Sequence, residues 1–349
     1  ILNNIKKLLR QNYQIAKIQK TEEINKGIYN LGTYKVITEQ KQYLLKFRPG
    51  YIATTNLLSN YQFLDYLKKN DFPVPNIITS KRGNKLVNRG DLVFELQEYI
   101  AHQGDVRDYD PSLIIPKLAS FLGEYHQLAA EYKATIKKSP YLKTEDKKYP
   151  INFQTRYFDS PFKEGRKYYQ NLDSVPVKEE SEINSYVKYY LDKLQQIQTE
   201  FIDQSPNIDK VVIHNDFRDN NILFKNDEIK ALIDFDLCYT GIYYVDLIEL
   251  LYSLLIWQQS ELEFAGLPKN KKINSKQIYN ILENYFAVGV NFNFDLEFCF
   301  KLLEARIIGQ IFQPGLKQII KDDNKLEILQ RLEDLLEELN NIKSDINLS

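Results

Sequence analysis

Two short stretches hold the residues whose types and spacing could do chemistry: VVIHNDFRDNNILF at 211–224 and IKALIDFDLCYTG at 229–241. His214, Asp216 and Asn221 fall in a short loop between two apolar runs, and Asp234 and Asp236 end the next run. Lys225-Asn226-Asp227-Glu228 reads as a tight turn, so Ile222–Phe224 and Ile229–Ile233 are expected to form a hairpin. A hairpin carries the Asn221 end back beside the Asp234 end. An amide oxygen and a carboxylate there suit one hard cation, with several positions left for water and phosphate oxygens. That is how Mg²⁺ travels with a nucleotide. Asp216, on the preceding loop, supplies a separate carboxylate that could accept or orient the proton of an attacking hydroxyl. The competing reading makes Asp216 and Asn221 loop caps and Asp234 a turn residue.

HNDFRDNNILF followed by IDFD resembles the catalytic and metal loops of the aminoglycoside phosphotransferase / choline kinase / homoserine kinase superfamily, which is similar in fold to the protein kinases. The resemblance spans about residues 24–310. It implies Asp216 as catalytic base, Asn221 and Asp234 as Mg²⁺ ligands, and His214 as a support of the loop. Asp236 is implied either behind Asp234 or as a ligand to a second metal. Arg218 either neutralises the transferring phosphoryl group or is an exposed loop arginine. Gly27-Ile28-Tyr29-Asn30 is similar to the hairpin that covers the phosphates, which implies Gly27 and Asn30 at the nucleotide. Lys46 in YLLKFRP matches the strand lysine that pairs with the α- and β-phosphates. Glu98-Tyr99-Ile100 matches the hinge, where backbone groups of Glu98 and Ile100 meet adenine. LGEYHQL, with His126, looks like a structural helix of the family, and Asp246 is implied as a brace for the catalytic loop, with Glu249 completing a capping box. One departure stands out. The family usually pairs the strand lysine with a helix Glu, and that place is Asn60 here, so either Asn60 or Gln62 is expected to hold Lys46 by a neutral hydrogen bond or a missing methionine has shifted the register.

The elements that must position these residues follow from patterning. Residues 15–47 read as strands, notably Ile28–Val36 and Tyr43–Phe47, turning at Glu39-Gln40-Lys41. Thr54–Lys69 reads as a helix from Leu57, Leu58, Tyr61, Leu64 and Leu67, closed by Asn70, Asp71, Pro73 and Pro75. Residues 76–100 give two or three further strands, with Arg82-Gly83-Asn84 as a turn. From Pro111 the pattern becomes helical: Leu113–Tyr132, Glu182–Phe201, Lys276–Tyr285, Leu296–Phe312 and Glu327–Leu339, interrupted by the island that holds the motifs. Residues 137–180 are weakly patterned. The fold class expected is α+β, a bilobal protein-kinase-like fold. Its parts are a nucleotide-binding lobe at 1–97, a hinge at 98–104, and a larger helical lobe at 105–349 with a buried catalytic hairpin and the acceptor site.

Composition is compatible with this. The chain has 349 residues, 43% of them hydrophobic and 27% charged, which excludes disorder and collagen for the whole. The two cysteines exclude a disulfide framework, and a reducing, cytoplasmic setting is expected. No apolar run reaches the length of a membrane span, and no secretory signal is read at the start. Methionine is absent, which points to residues missing from the sequence as written or to a processed start. The net charge of −1 conceals a split: residues 1–97 carry 16 Lys/Arg against 7 Asp/Glu, and the rest 30 against 40. The basic part coincides with the proposed nucleotide lobe. The acidic part suits a cationic acceptor through steering. No basic-aromatic motif for nucleic acid is present. The activity expected is transfer of the ATP γ-phosphate to a hydroxyl of a small molecule (aminoglycoside-, choline- or homoserine-like). The alternative is a nucleotide-binding pseudokinase, motivated by Asn60; oligomeric state is unreadable.

Overall fold

Amphipathic spacing dominates the first hundred residues of the computed structural model. It describes residues 2–15, 17–25, 31–49, 54–103, 109–136, 142–144, 147–149, 158, 161, 163, 177–257, 275–312 and 325–347. The chain divides into two compact units. The first takes in residues 1–108, 132–149 and 220–239; the second takes in 109–131, 150–219 and 240–349.

In the first unit, β1 (Ile18–Asn25), β2 (Gly32–Thr38), β3 (Gln42–Pro49), β4 (Ile77–Ile78), β5 (Val87–Arg89) and β6 (Leu92–Glu98) form one antiparallel sheet. Its order is β1-β2-β3-β6-β4, with β5 also on β6. Successive strand residues point to opposite faces, and here the two faces differ in chemistry. Val36, Leu45, Phe94 and Leu96 form a core with Ile5, Leu8, Leu9 and Tyr13 of the amphipathic helix α1 (Leu2–Asn12) and the loop after it. The alternate residues of β3 and β6, Lys46, Arg48, Glu95 and Gln97, are polar yet buried. One face therefore supplies hydrophobic stabilisation, of about 1.5–3 kcal/mol for each large side chain fully buried. The other supplies charge.

Helix α2 spans Thr54–Lys69, the bounds expected from its leucine spacing. Its end is closed by Asp71 in the left-handed region (φ 60°) and by Phe72 N–H on the Leu67 carbonyl at 3.0 Å. The turn expected at residues 82–84 forms around Gly83 (φ 80°), whose N–H reaches the Ser80 carbonyl at 2.9 Å. A hairpin, β7 (Leu142–Thr144) with β8 (Lys147–Tyr149), belongs to the same unit.

The second unit is helical: α3 (Pro111–Glu131), α4 (Val177–Gln204), α5 (Tyr244–Trp257), α6 (Ser275–Ala287), α7 (Leu296–Phe312) and α8 (Lys325–Asn347). Asp110 starts α3 by accepting the Ser112 N–H at 2.9 Å, and Asp295 does the same for Phe298 in α7 at 3.0 Å. Strand β9 (Lys210–Ile213) delivers the chain into the His214–Asp216 loop. Strand β12 (Tyr239–Ile242) pairs with β9, and the motif hairpin that follows the loop, β10 (Ile222–Lys225) with β11 (Glu228–Leu232), belongs to the first unit. Asn226 and Asp227 both have positive φ (53° and 60°), the conformation a tight hairpin turn of the favoured twist demands. The α+β, protein-kinase-like class expected from the sequence is the one observed. No described helix is long and apolar enough to cross a membrane.

Candidate active site

The loop before the hairpin is organised by one carboxylate. Asp246, in the first turn of α5 and fully buried, accepts the backbone N–H groups of His214 and Asn215, each at 2.6 Å. His126 Nε2 approaches the same carboxylate at 3.3 Å, and the Tyr285 hydroxyl lies 2.7 Å from His126 Nδ1. The brace expected of Asp246 is thus present. Glu249, cast as its capping partner, instead holds Arg306 at 2.9 and 3.2 Å. Asn215 has φ 63°, a left-handed conformation that asparagine tolerates better than most residues. Beyond this bend stands Asp216, buried, with Arg218 across both its oxygens: Nε to Oδ1 at 3.0 Å and Nη2 to Oδ2 at 3.2 Å. Arg218 itself is half exposed. The pair aligns the Asp216 carboxyl group against the Arg218 guanidinium.

In the first unit the hairpin does what its spacing promised. Ile222 faces Leu232, and Ile233 N–H donates to the Asn221 carbonyl at 2.9 Å, so Asn221 and Asp234 occupy the same end. Asn221 is buried, whereas the Asp234 carboxylate is 41% exposed. One amide and one carboxylate oxygen, both hard donors, fit Mg²⁺ that arrives with phosphate oxygens and keeps several waters. Among the described residues no group of three or more His, Cys, Asp or Glu is placed to hold a metal alone.

Lys46 Nζ sits 3.2 Å from Asp234 Oδ1. Burial pulls its ammonium down, but Asp234, Asp236 and Glu95 outweigh this and its pKa is raised, so it is charged at neutral pH. Neither Asn60 nor Gln62 is its partner. Gln62 is exposed, and Asn60 Nδ2 donates to the Phe235 carbonyl at 2.7 Å. A carboxylate already lies opposite Lys46, so the helix has no need to supply another, and its buried asparagine holds the backbone of the 234–236 segment instead. Asp236 is bound to Arg48, a residue the sequence reading passed over. Only its position, two residues from Lys46 on a strand face, could have flagged it.

At the hinge, the Glu98 N–H donates to the Asn76 carbonyl at 2.8 Å and its side chain is 3.6 Å from Lys68. The Ile100 carbonyl lies 3.1 Å from His102 Nδ1. An open cavity of about 620 Å³ includes Glu98 and Ile100 with Lys68, Phe72 and Lys225, but neither Lys46 nor Asp234 lines it. Gly27 and Asn30 lie outside the described residues.

The phosphotransferase enzyme family model matches residues 20–265. Among solved structures, the chain is similar to a microcompartment-associated aminopropanol kinase (15% identity, TM-score 0.65, 98% of each chain covered). It is similar also to an amicoumacin kinase in complex with AMP-PNP, Ca²⁺ and Ami (16% identity, TM-score 0.62, covering 98% of this chain and 93% of that one). A third is spectinomycin phosphotransferase in complex with ADP and spectinomycin (16% identity, TM-score 0.60, 98% of each). No curated protein sequence matches. The family match covers both motif stretches and the strand lysine: the chain belongs to the phosphotransferase enzyme family and is a small-molecule kinase.

Proposed function

We propose that the chain moves the γ-phosphoryl group of ATP to a hydroxyl of a small molecule, with Asp216 as the base. The observation that carries this is the Lys46–Asp234 contact at the Asn221 end of the hairpin, a cation and two hard oxygen ligands gathered at one place. Asn221 and Asp234 would hold Mg²⁺, which when bound neutralises charge on the phosphate oxygens. Lys46, charged and buried, would hold the α- and β-phosphates once Asp234 turns to the metal. The adenine edge would meet hinge backbone. There the Glu98 N–H is already engaged by Asn76, which leaves the neighbouring Ile100 segment as the donor. Gly27 and Asn30 would cover the phosphates. Asp216 would orient the acceptor hydroxyl and take its proton as the new bond to phosphorus forms and the bond to the leaving ADP breaks, and Arg218 would hold that carboxyl group in place.

The acceptor is proposed to be cationic. The excess of Asp/Glu over Lys/Arg beyond residue 97 favours it by steering, and neighbours named for aminopropanol, spectinomycin and choline fit that character. Asp216→Asn keeps the shape and removes the base. With a panel of amino alcohols and aminocyclitols as acceptors, turnover should fall by roughly 10²–10⁴ while Mg·ATP affinity holds. Turnover equal to that of the unaltered protein would remove Asp216 from this role.

A further inference from the structure

Asp234, the candidate metal ligand, has φ 66°, a left-handed conformation that an aspartate adopts at a cost and keeps only when its surroundings fix it. Three contacts from the sheet and from α2 do so. Lys46 meets Asp234 itself, Asn60 holds the Phe235 carbonyl, and Arg48 holds Asp236. The last is the firmest. The Arg48 guanidinium, 1% exposed, places Nη2 at 2.8 Å from Asp236 Oδ1 and Nη1 on Oδ2, so both carboxylate oxygens accept from one planar fork. From behind, Glu95, fully buried, accepts Nη2 at 3.0 Å and Nε at 3.3 Å, and Gln97 Nε2 reaches Glu95 Oε1 at 2.5 Å. Burial pulls the Arg48 pKa down, but Asp236 and Glu95 overcome it and raise it, so the ion is permanent. Counted together, two cations face three carboxylates. Asp234 is the most exposed carboxylate of the cluster.

We infer that Arg48 is a positioning residue that clamps Asp236 so that Asp234 is presented to the metal–nucleotide, and that Asp236 is not itself a metal ligand. This rests on the reading of Asp234 as a ligand. Removing the clamp lets the 234–236 segment relax from its strained shape, and metal affinity falls while contacts to the nucleotide made elsewhere remain. Supporting contacts of this kind are worth roughly 10–100-fold in metal affinity.

The test titrates Mn²⁺ and Cd²⁺ into the ADP complex and ADP into metal-free protein, following heat and, for Mn²⁺, paramagnetic resonance. Arg48→Lys and Asp236→Asn should each weaken Mn²⁺ binding by roughly 10–100-fold, leave metal-free ADP affinity in place, and weaken it no further when combined. Because an Arg48 variant could fail to fold, a second arm leaves Arg48 intact. Asp234→Cys should raise the Cd²⁺ to Mn²⁺ affinity ratio sharply, since a thiolate ligand prefers the softer ion, and Asp236→Cys should leave the ratio unchanged. The native cysteines, Cys238 and Cys299, are buried. A Cd²⁺ preference in Asp236→Cys, or additive losses in the first arm, overturns the inference while leaving the functional reading standing. No change in the ratio for Asp234→Cys, or no Mn²⁺ binding by the unaltered ADP complex, defeats both.

Discussion

Asp246→Asn isolates what orders the loop that carries Asp216. The carboxylate is fully buried and accepts two backbone N–H groups at 2.6 Å, one on each oxygen. An asparagine keeps one acceptor and turns an NH₂ group toward the other amide, so either His214 or Asn215 is left as a buried donor facing a donor. An unsatisfied buried donor costs about 1–3 kcal/mol, and downgrading the surviving bond from charged to neutral costs about 1 kcal/mol more. The expected loss is about 2–4 kcal/mol, and Asp246→Ala, which removes both acceptors, should lose more. Urea unfolding measures the total. Amide hydrogen exchange gives the local share, and at about 1.4 kcal/mol per factor of ten the amides of His214 and Asn215 should exchange roughly 30–700 times faster. A loss under about 0.5 kcal/mol with unchanged exchange at those two amides would refute the argument, because exposed aspartates commonly behave that way.

Two further outcomes follow from the helical unit. At Gly123 in α3, a Cβ would run into the Tyr285 carbonyl oxygen and the Val288 side chain, and backbone cannot step aside as a side-chain tip can. Gly123→Ala should therefore cost about 1–3 kcal/mol through overpacking of α3 on α6, seen as a lowered melting temperature by calorimetry. Glu304 is pushed above the ordinary carboxylate range by burial, with Lys193 at 3.3 Å opposing. A raised carboxyl pKa means the folded state binds the proton more readily. Stability is gained as pH falls through the folded pKa and is complete below the unfolded value of about 4.3. Urea midpoints of the unaltered protein, measured against Glu304→Gln between pH 7 and 4, should rise on acidification; a difference that is flat with pH contradicts the assignment.

Local signals made much of the fold legible. Leucine spacing and the prolines behind it fixed both ends of α2, and Asn226-Asp227 fixed the motif turn because its φ angles demand such residues. Helix α1 was legible too, because Ile5, Leu8 and Leu9 lie on one face at helical spacing. Strand β12 was not, since YTGI contains a glycine and is short. It exists because β9 offers it a partner, which no local pattern announces.

The candidate site was legible in its loops and opaque in its charges. Lys46 and Asp234 are 188 residues apart, as are Arg48 and Asp236, so neither pair shares a local pattern. What the pairs do share is a step. Lys46 and Arg48 stand two apart on a strand, which puts both on one face, and Asp234 and Asp236 stand two apart where the hairpin ends. The segment presents its carboxylates in the order in which the strand presents its cations. A doublet of that kind is too common to identify a contact: Lys20 and Glu22 on β1 show the same spacing and pair with each other at the surface. The distinction lies in burial, because cations on a covered face must find carboxylates while exposed ones need not. Burial of that face follows from its cover by α2 and the 234–236 segment, so the partner of Lys46 becomes readable only after the fold is known. Asn60 confirms the order of causes. Its neutrality looked like a lost ion pair when the helix was read alone, and it is instead what a crowded charged face tolerates where a further carboxylate would have made a fourth around Lys46.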